Sequence, residues 1–366
     1  MKNKIMKTGF ILSIIIGIIF AKDMIETDGN IERKINPDLP VLKKDWEGNI
    51  VIDGKFHNDT FPVSAPLWDV IKWKFSKNPQ RDEKRNDTFS LQVQPFQGFS
   101  KHDNSIIWLG HSSFLITIDG ITLITDPCFF NLPSAKRKAP MPCPVDSLRN
   151  IDYLLVSHDH RDHFDKKSIE SIIKNNPNIN ALIPLSGSRL FNGKKLSEIK
   201  IQEAGWFQEY SMTDSIRIIF LPAKHWGRRS LNDFNKTLWG SFLIISGKTK
   251  IFFAGDSAYD EQMFKEIREL FGEIDICLVP IAAYSPEFIM KREHMNPEEA
   301  IQVFLDLGGS HFLPMHYGTY DLSDEPISEP IERLKAAALR NSISDNIIEL
   351  AIGEKFIINN SEIIND

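Results

Sequence analysis

Directly after the apolar stretch Tyr153-Leu154-Leu155-Val156 comes Ser157-His158-Asp159-His160-Arg161-Asp162-His163, which packs three imidazoles and two acidic side chains into one turn. Borderline-soft zinc prefers neutral imidazole nitrogen and carboxylate oxygen, and its ligands must converge on a small sphere. A His-x-His-x-Asp-His cluster at a strand end therefore predicts half of a two-metal site. One histidine would carry no such weight. Three within six residues, with no basic run to suggest a solvated face, do.

A single loop cannot close two metal spheres, so further His or Asp residues must also end apolar strands. Ile216-Arg217-Ile218-Ile219-Phe220-Leu221 is followed by His225, Ile251-Phe252-Phe253-Ala254 by Gly255-Asp256, and Phe312-Leu313-Pro314-Met315 by His316. Four strands thus deliver candidate ligands to one edge, where a rigid scaffold positions loop residues for binding and catalysis. Between them the pattern mixes hairpins with helices. Phe114 to Ile118 and Ile121 to Thr125 flank Asp119-Gly120, a pair suited to a two-residue turn, and a similar pair surrounds Gly247-Lys248. A helix is predicted to start near Asp165 with Phe164, Ile169, Ile172 and Ile173 as its buried stripe. Another runs from Asn296 to Leu307, capped by Asn296, with Pro297 at its first position, Glu299 completing a capping box, and Gly308-Gly309 ending it. Hairpins interleaved with helices predict an α/β (α+β) fold, a four-layer αββα sandwich.

These motifs resemble the metallo-β-lactamase superfamily, and within it the N-acylphosphatidylethanolamine-hydrolysing phospholipase D family. The resemblance covers roughly residues 65 to 357 and includes Trp108-Leu109-Gly110-His111, Thr125-Asp126-Pro127, Pro222-Ala223-Lys224-His225-Trp226, Leu238-Trp239-Gly240-Ser241, Phe253-Ala254-Gly255-Asp256, Pro280-Ile281-Ala282-Ala283-Tyr284 and His294-Met295-Asn296-Pro297-Glu298-Glu299-Ala300. It implies two zinc ions, with iron or manganese able to use the same donors. One metal would take His158, His160 and His225, the other Asp162, His163 and His316, with Asp256 bridging both. Arg161, Glu293, Ser257-Ala258 and Tyr317 depart from the family pattern. Arg161 would either contact an anionic substrate or face solvent.

Two metals that share a water lower its pKa towards about 7 and polarise the oxygen under attack, which is hydrolytic chemistry through a metal-bridging hydroxide. Asp162, besides ligating, is expected to orient that nucleophile. His294 precedes a helix N-terminus, where anions are favoured, and the resemblance places it near the substrate, so Asp162 and His294 are the candidate catalytic residues. His111, and with it Asp126, is expected to support the ligating imidazoles. Tyr284 is a candidate substrate-proximal group. The expected activity is a phosphodiesterase of phospholipase D type on N-acylphosphatidylethanolamine-like lipids. A lactonase or other hydrolase of a small, phosphorylated substrate, similar to the L-ascorbate 6-phosphate lactonases, is the alternative, and a non-catalytic metal-binding scaffold the remote one.

A charged fraction of 25% and a net charge of −6 describe an ordinary surface with no basic excess, so no nucleic-acid partner is expected. The substrate would be a lipid or small molecule, and a homodimer is compatible with the sequence. Cys128, Cys143 and Cys277 are an odd number without CxxC spacing, so neither a disulfide framework nor a thiolate zinc site is indicated, although Cys128 and Cys143 could pair in an exported protein. Cys277, in an apolar strand, reads as a small buried hydrophobe.

Lys2, Lys4 and Lys7 precede the apolar run Phe10 to Ala21, about twelve residues against the roughly twenty that span a bilayer. Residues 1–21 are therefore expected to be a signal peptide or membrane anchor, giving export or membrane association through the N-terminus, to the periplasm in a Gram-negative cell. Residues 22–64 read as a polar N-terminal arm without a lasting strand or helix period, and 65–366 as the catalytic domain. The aromatic-rich stretch Trp68, Ile71, Trp73 and Phe75 would pack on that domain or lie against lipid, and residues 77–90 would form a charged loop.

Overall fold

In the computed structural model, which describes residues 30–58, 67–193, 196, 199–212 and 215–358, two large mixed sheets face each other. A small three-stranded sheet at the start combines β1 (Ile31–Lys34), β2 (Asn49–Ile52) and β3 (Lys55–Phe56). The seven-stranded sheet contains β4 (Ser105–Gly110), β5 (Ser113–Ile118), β6 (Ile121–Thr125), β7 (Tyr153–Leu155), β8 (Asn180–Pro184) and β9 (Lys200–Ala204), with the last strand, Lys355–Ile357, beside β4. The six-stranded sheet runs in order through β10 (Gln208–Glu209), β11 (Arg217–Leu221), β12 (Ser241–Ser246), β13 (Thr249–Phe253), β14 (Ile276–Pro280) and β15 (His311–Met315).

Period-2 alternation assigns each strand of the seven-stranded sheet to two layers. Ile106, Trp108, Leu123, Tyr153 and Leu155 join the core shared with the six-stranded sheet, whereas Ile107, Leu109, Ile124 and Leu154 turn to the other side. That outer side is covered by α1 (Lys166–Asn175) through Ile169 and Ile172, with Phe164 beside them. Helices α2 (Glu261–Phe271), α3 (Pro297–Asp306) and α4 (Glu329–Arg340) bury Phe264, Ile267, Ala300, Ile301, Phe304 and Leu334 in the core of the six-stranded sheet. The result is the expected αββα sandwich.

Local signals hold where the chain is locally sufficient. Asp119 and Gly120 take φ of 47° and 82°, and Ile118 pairs with Ile121 across the turn. Gly247-Lys248 turns β12 into β13, pairing Ser246 with Thr249. Asp165 caps α1 by accepting from Ser168 N, and Asn296 and Glu299 form the full capping box of α3.

Two expectations are corrected. Residues 31–56 carry strands, because their polar groups are satisfied from afar: Asn49 Oδ1 accepts from Trp206 N at 3.1 Å and Gln208 Oε1 accepts from Asn36 N at 2.8 Å, while Val51 and Phe56 join the main core. Within the predicted charged loop, Arg81–Asn86 is a helix with no buried residue. Cys128 and Cys143 do not pair; all three cysteines are free thiols, and Cys277 is buried as expected. The apolar run Phe10 to Ala21 lies outside the described residues, and among those residues no helix is long and apolar enough to cross a membrane.

Candidate metal centre

Strand direction explains why the ligand candidates meet. β4, β6 and β7 run parallel to one another in one sheet, and β11, β13 and β15 do so in the other. All six carboxyl ends therefore open on one edge of the sandwich, carrying His111, Asp126, His158, His225, Asp256 and His316 in turn. The edge is shared by two sheets. Three of these residues adopt left-handed backbone, with φ of 55° at His111, 33° at Asp126 and 66° at His316, strain of the kind that persists where a site over-determines its geometry.

Two sets of donor atoms form. His160 Nδ1 lies 3.0 Å from His158 Nε2 and 3.1 Å from His225 Nε2. In the second set, Asp162 Oδ2 lies 3.7 Å from His163 Nε2, 3.6 Å from His316 Nε2 and 3.1 Å from His111 Nε2. Asp256 Oδ2 stands between the sets, 3.1 Å from His163 Nε2, 3.2 Å from His316 Nε2, and 4.0 Å from both His158 Nε2 and His225 Nε2. His294 Nδ1 is 3.8 Å from the same oxygen.

The orientation of the rings is set from behind. Asp126 accepts from His163 Nδ1 at 2.7 Å and from Ser157 Oγ at 2.5 Å, and Ser157 Oγ meets His158 Nδ1 at 2.9 Å. The Glu293 carbonyl accepts from His225 Nδ1 at 2.9 Å. Each of these rings then turns the lone pair of its Nε2 into the centre. Buried lone pairs of nitrogen and carboxylate oxygen facing one point repel unless a cation sits among them. His163 Nε2, His316 Nε2, Asp256 Oδ1 and His294 Nδ1 are buried without a hydrogen bond among the described residues. This donor set fits divalent metal, and the residues that would hold it are His158, His160, His225, Asp162, His163, His316 and Asp256.

Charge distribution agrees. Burial pushes His158 and His225 well below the usual imidazole range and His160 down to about 4. Burial would do the same to His163 and His316, but Asp256 and Asp162 outweigh it, raising His163 well above its ordinary value and His316 to about 9. Burial likewise opposes ionisation of Asp256 and Asp162, and their histidine neighbours overcome it to hold both low. The positive charge that these carboxylates draw onto His163 and His316 as protons is what a divalent cation would supply with both imidazoles neutral.

The structure separates the remaining candidates. His111 reaches Asp162, and its ring lies 4.1 Å from that of His316. His294 faces the centre as given above, with burial lowering it to about 4. Arg161 is exposed, and its guanidinium donates to the Arg229 carbonyl at 3.0 Å. The Tyr284 hydroxyl donates to Glu329 at 2.8 Å, under the Arg333 guanidinium. Tyr317 is buried behind His316 and stacks on Trp108 at 5.3 Å. Ser157 and the Glu293 carbonyl were missed, although Ser157 directly precedes the first ligand candidate, a place where a hydroxyl can reach the next ring. Trp226, one residue after His225, meets the His160 ring edge to face, with ring centres 4.7 Å apart.

Gly255 makes the approach of Asp256 possible. At φ 60°, an added Cβ would lie 2.8 Å from Ser157 Cβ and 2.9 Å from the Gly240 carbonyl. Gly255→Ala is expected to cost about 1–3 kcal/mol of stability and, by pushing Ser157, to lower metal retention; melting temperature and metal content per chain check this, and an unchanged pair of values would contradict the assigned crowding.

A family model described as "Beta-lactamase superfamily domain" matches residues 122–317. The chain is 33% identical over 284 residues to N-acyl-phosphatidylethanolamine-hydrolyzing phospholipase D 1 of Caenorhabditis elegans, covering 73% of this chain and 79% of that protein. It is 34% identical over 324 residues to the mitochondrial N-acyl-phosphatidylethanolamine-hydrolyzing phospholipase D of Saccharomyces cerevisiae, covering 85% of this chain and 65% of the yeast protein, just under two thirds of its length. Among solved structures, a metallo hydrolase from the archaeon Ignicoccus hospitalis superposes with a TM-score of 0.54 at 19% identity, over 70% of this chain and 98% of that one, a likeness of fold.

Proposed function

The chain belongs to the metallo-β-lactamase superfamily and is a hydrolytic enzyme, and from that premise we propose that it is a binuclear zinc phosphodiesterase of phospholipase D type, cleaving N-acylphosphatidylethanolamine-like lipids. The observation that carries the chemistry is the pair of donor sets joined by Asp256 Oδ2. The phosphodiester bond and the lipid are supported by the nematode and yeast relatives. Two divalent cations, when bound, supply an activated water and polarise the phosphoryl oxygen.

The chain's own residues do the rest. Asp162 is kept ionised by its histidine neighbours, with His111 Nε2 at 3.1 Å from Oδ2, so it can take a proton from the attacking water. Water adds to phosphorus, the bond from phosphorus to the ethanolamine oxygen breaks, and that oxygen leaves with a proton as the N-acylethanolamine, the other product being phosphatidic acid. His294, neutral near pH 7 because burial lowers it to about 4, donates an N–H to a phosphate oxygen and contributes no charge.

Asp162→Asn is expected to lower kcat by about 10²- to 10⁴-fold with most metal retained; turnover equal to the parent at full metal occupancy would remove the proton-accepting role. The proposal as a whole is tested by incubating zinc-loaded full-length protein with N-acylphosphatidylethanolamine and identifying products by mass spectrometry, beside His160→Ala. Phosphatidic acid and N-acylethanolamine released by the parent alone support it. No turnover with two metals bound would sink the lipid phosphodiesterase reading and leave the superfamily assignment standing.

A further inference from the structure

Among the described residues, the helix Leu67–Phe75 is held through the side that carries Val70 and Trp73. Val70 and Trp73 pack against Ile289 and Met290 of the short helix Glu287–Met290, and Trp73 Nε1 donates to Asp324 at 2.8 Å. The opposite side carries Trp68 and Phe75, seven residues apart and so on one face, at 73% and 83% exposure; Phe288 beside them is 42% exposed. Lys72, between the two on the same face, sets its ammonium 5.0 Å from the Phe288 ring. Two outward aromatics on one helix face, with a third on the short helix against which that helix packs, are unlike the scattered single apolar residues of an ordinary surface.

We propose that this face docks on an anionic phospholipid surface. Charge complementarity selects that occupant. The exposed cations Lys72, Lys77, Lys291 and Arg292 border the aromatics and outnumber Asp69 and Glu287, in a chain whose net charge is −6. Aromatic rings belong at the level of lipid headgroups, with lysines extending to the phosphates around them. Area argues against a protein partner. Three partly exposed rings offer on the order of 400 Å², about half of the roughly 800 Å² that each side of a stable protein interface buries, whereas a bilayer needs no matching surface.

The placement also links the face to the metal centre. Met290, which underlies the helix, accepts backbone hydrogen bonds from Glu293 N and His294 N, each at 2.8 Å. The Glu293 carbonyl in turn holds His225. Docking would set a bilayer within a few residues of His294, which is useful if the substrate is a lipid; the docking itself rests on the surface alone.

The test uses full-length protein and vesicles of phosphatidylcholine, with and without phosphatidylglycerol, some carrying brominated acyl chains. Partition is expected to be stronger onto the anionic vesicles and to weaken with salt. Bromine should quench tryptophan emission, and Trp68→Phe, which keeps the helix, should remove most of that quenching. Changing Trp68, Phe75 and Phe288 together to Ser should lower partition at least about tenfold with metal content unchanged. Quenching that persists in Trp68→Phe, or equal partition of the triple variant and the parent, overturns the proposal. So does a dimer in solution that the triple variant breaks, because the face would then be a contact between copies. Vesicle binding without lipid turnover would remove the proposed substrate and leave the docking face, and turnover without binding would do the reverse.

Discussion

Replacing Asp256 with Ala should lower kcat/KM by at least about three orders of magnitude and leave fewer than two metals per chain. The size follows from what one oxygen does. Asp256 Oδ2 is 3.1–3.2 Å from His163 and His316 Nε2 and 4.0 Å from the Nε2 atoms of His158 and His225, so it is the carboxylate within reach of both donor sets. Losing a partner that merely orients a metal ligand costs 10- to 100-fold in affinity or activity. Losing a shared ligand removes both orientation and the buried negative charge that balances the cations, several kcal/mol, with each 1.36 kcal/mol worth a factor of ten in rate. Elemental analysis beside steady-state kinetics checks it, with Asp256→Asn keeping the shape. Two metals per chain and turnover within tenfold of the parent in either variant would mean that Asp256 is not shared between the sets.

The ligand loop, the hairpins and the capped helix α3 were legible because each is specified by adjacent residues. Asp119-Gly120 needs only its own φ angles, and Asn296 and Glu299 satisfy each other within one turn. That apolar strands end at His158, His225, Asp256 and His316 could be read directly from the chain. Which sheet each strand joins could not. β7 belongs to one sheet and β11, β13 and β15 to the other, a distinction set by pairings between segments far apart in sequence. The same limit hid the first sheet, whose polar residues look unfit for burial until Trp206 and Gln208, more than 150 positions on, satisfy Asn49 and Asn36. Tyr284 shows the same limit: it ends a segment of the family pattern, and the partner of its hydroxyl, Glu329 of α4, lies 45 positions on. The sequence alone assigns Ser157 no role, because its importance lies in what stands behind it.

What stands behind it is Asp126, and Asp126→Ala should both destabilise the fold by about 3–5 kcal/mol and weaken metal binding by about 10- to 100-fold. Asp126 is fully buried and accepts three bonds, from Ser157 N at 2.7 Å, Ser157 Oγ at 2.5 Å and His163 Nδ1 at 2.7 Å. Because Ser157 Oγ spends its proton on Asp126, it can only accept from His158 Nδ1, 2.9 Å away. One carboxylate therefore fixes the tautomer of a ligand candidate in each donor set, His163 directly and His158 through the serine, and leaves both Nε2 lone pairs free to face a metal. Alanine removes that choice and strands three buried donors at once, which costs more than the bonds contributed. Burial raises the Asp126 carboxyl, and the bonds from His163 and Ser157 oppose it only in part, so each lost bond would disfavour the ionised acceptor further. Urea unfolding with and without chelator separates the two effects: the loss should remain when metal is removed, and grow when it is present. A cycle with Ser157→Ala should show coupling above about 1 kcal/mol, since both changes break one network. Additive losses together with parental metal content would show that the two histidines are oriented by something other than this aspartate.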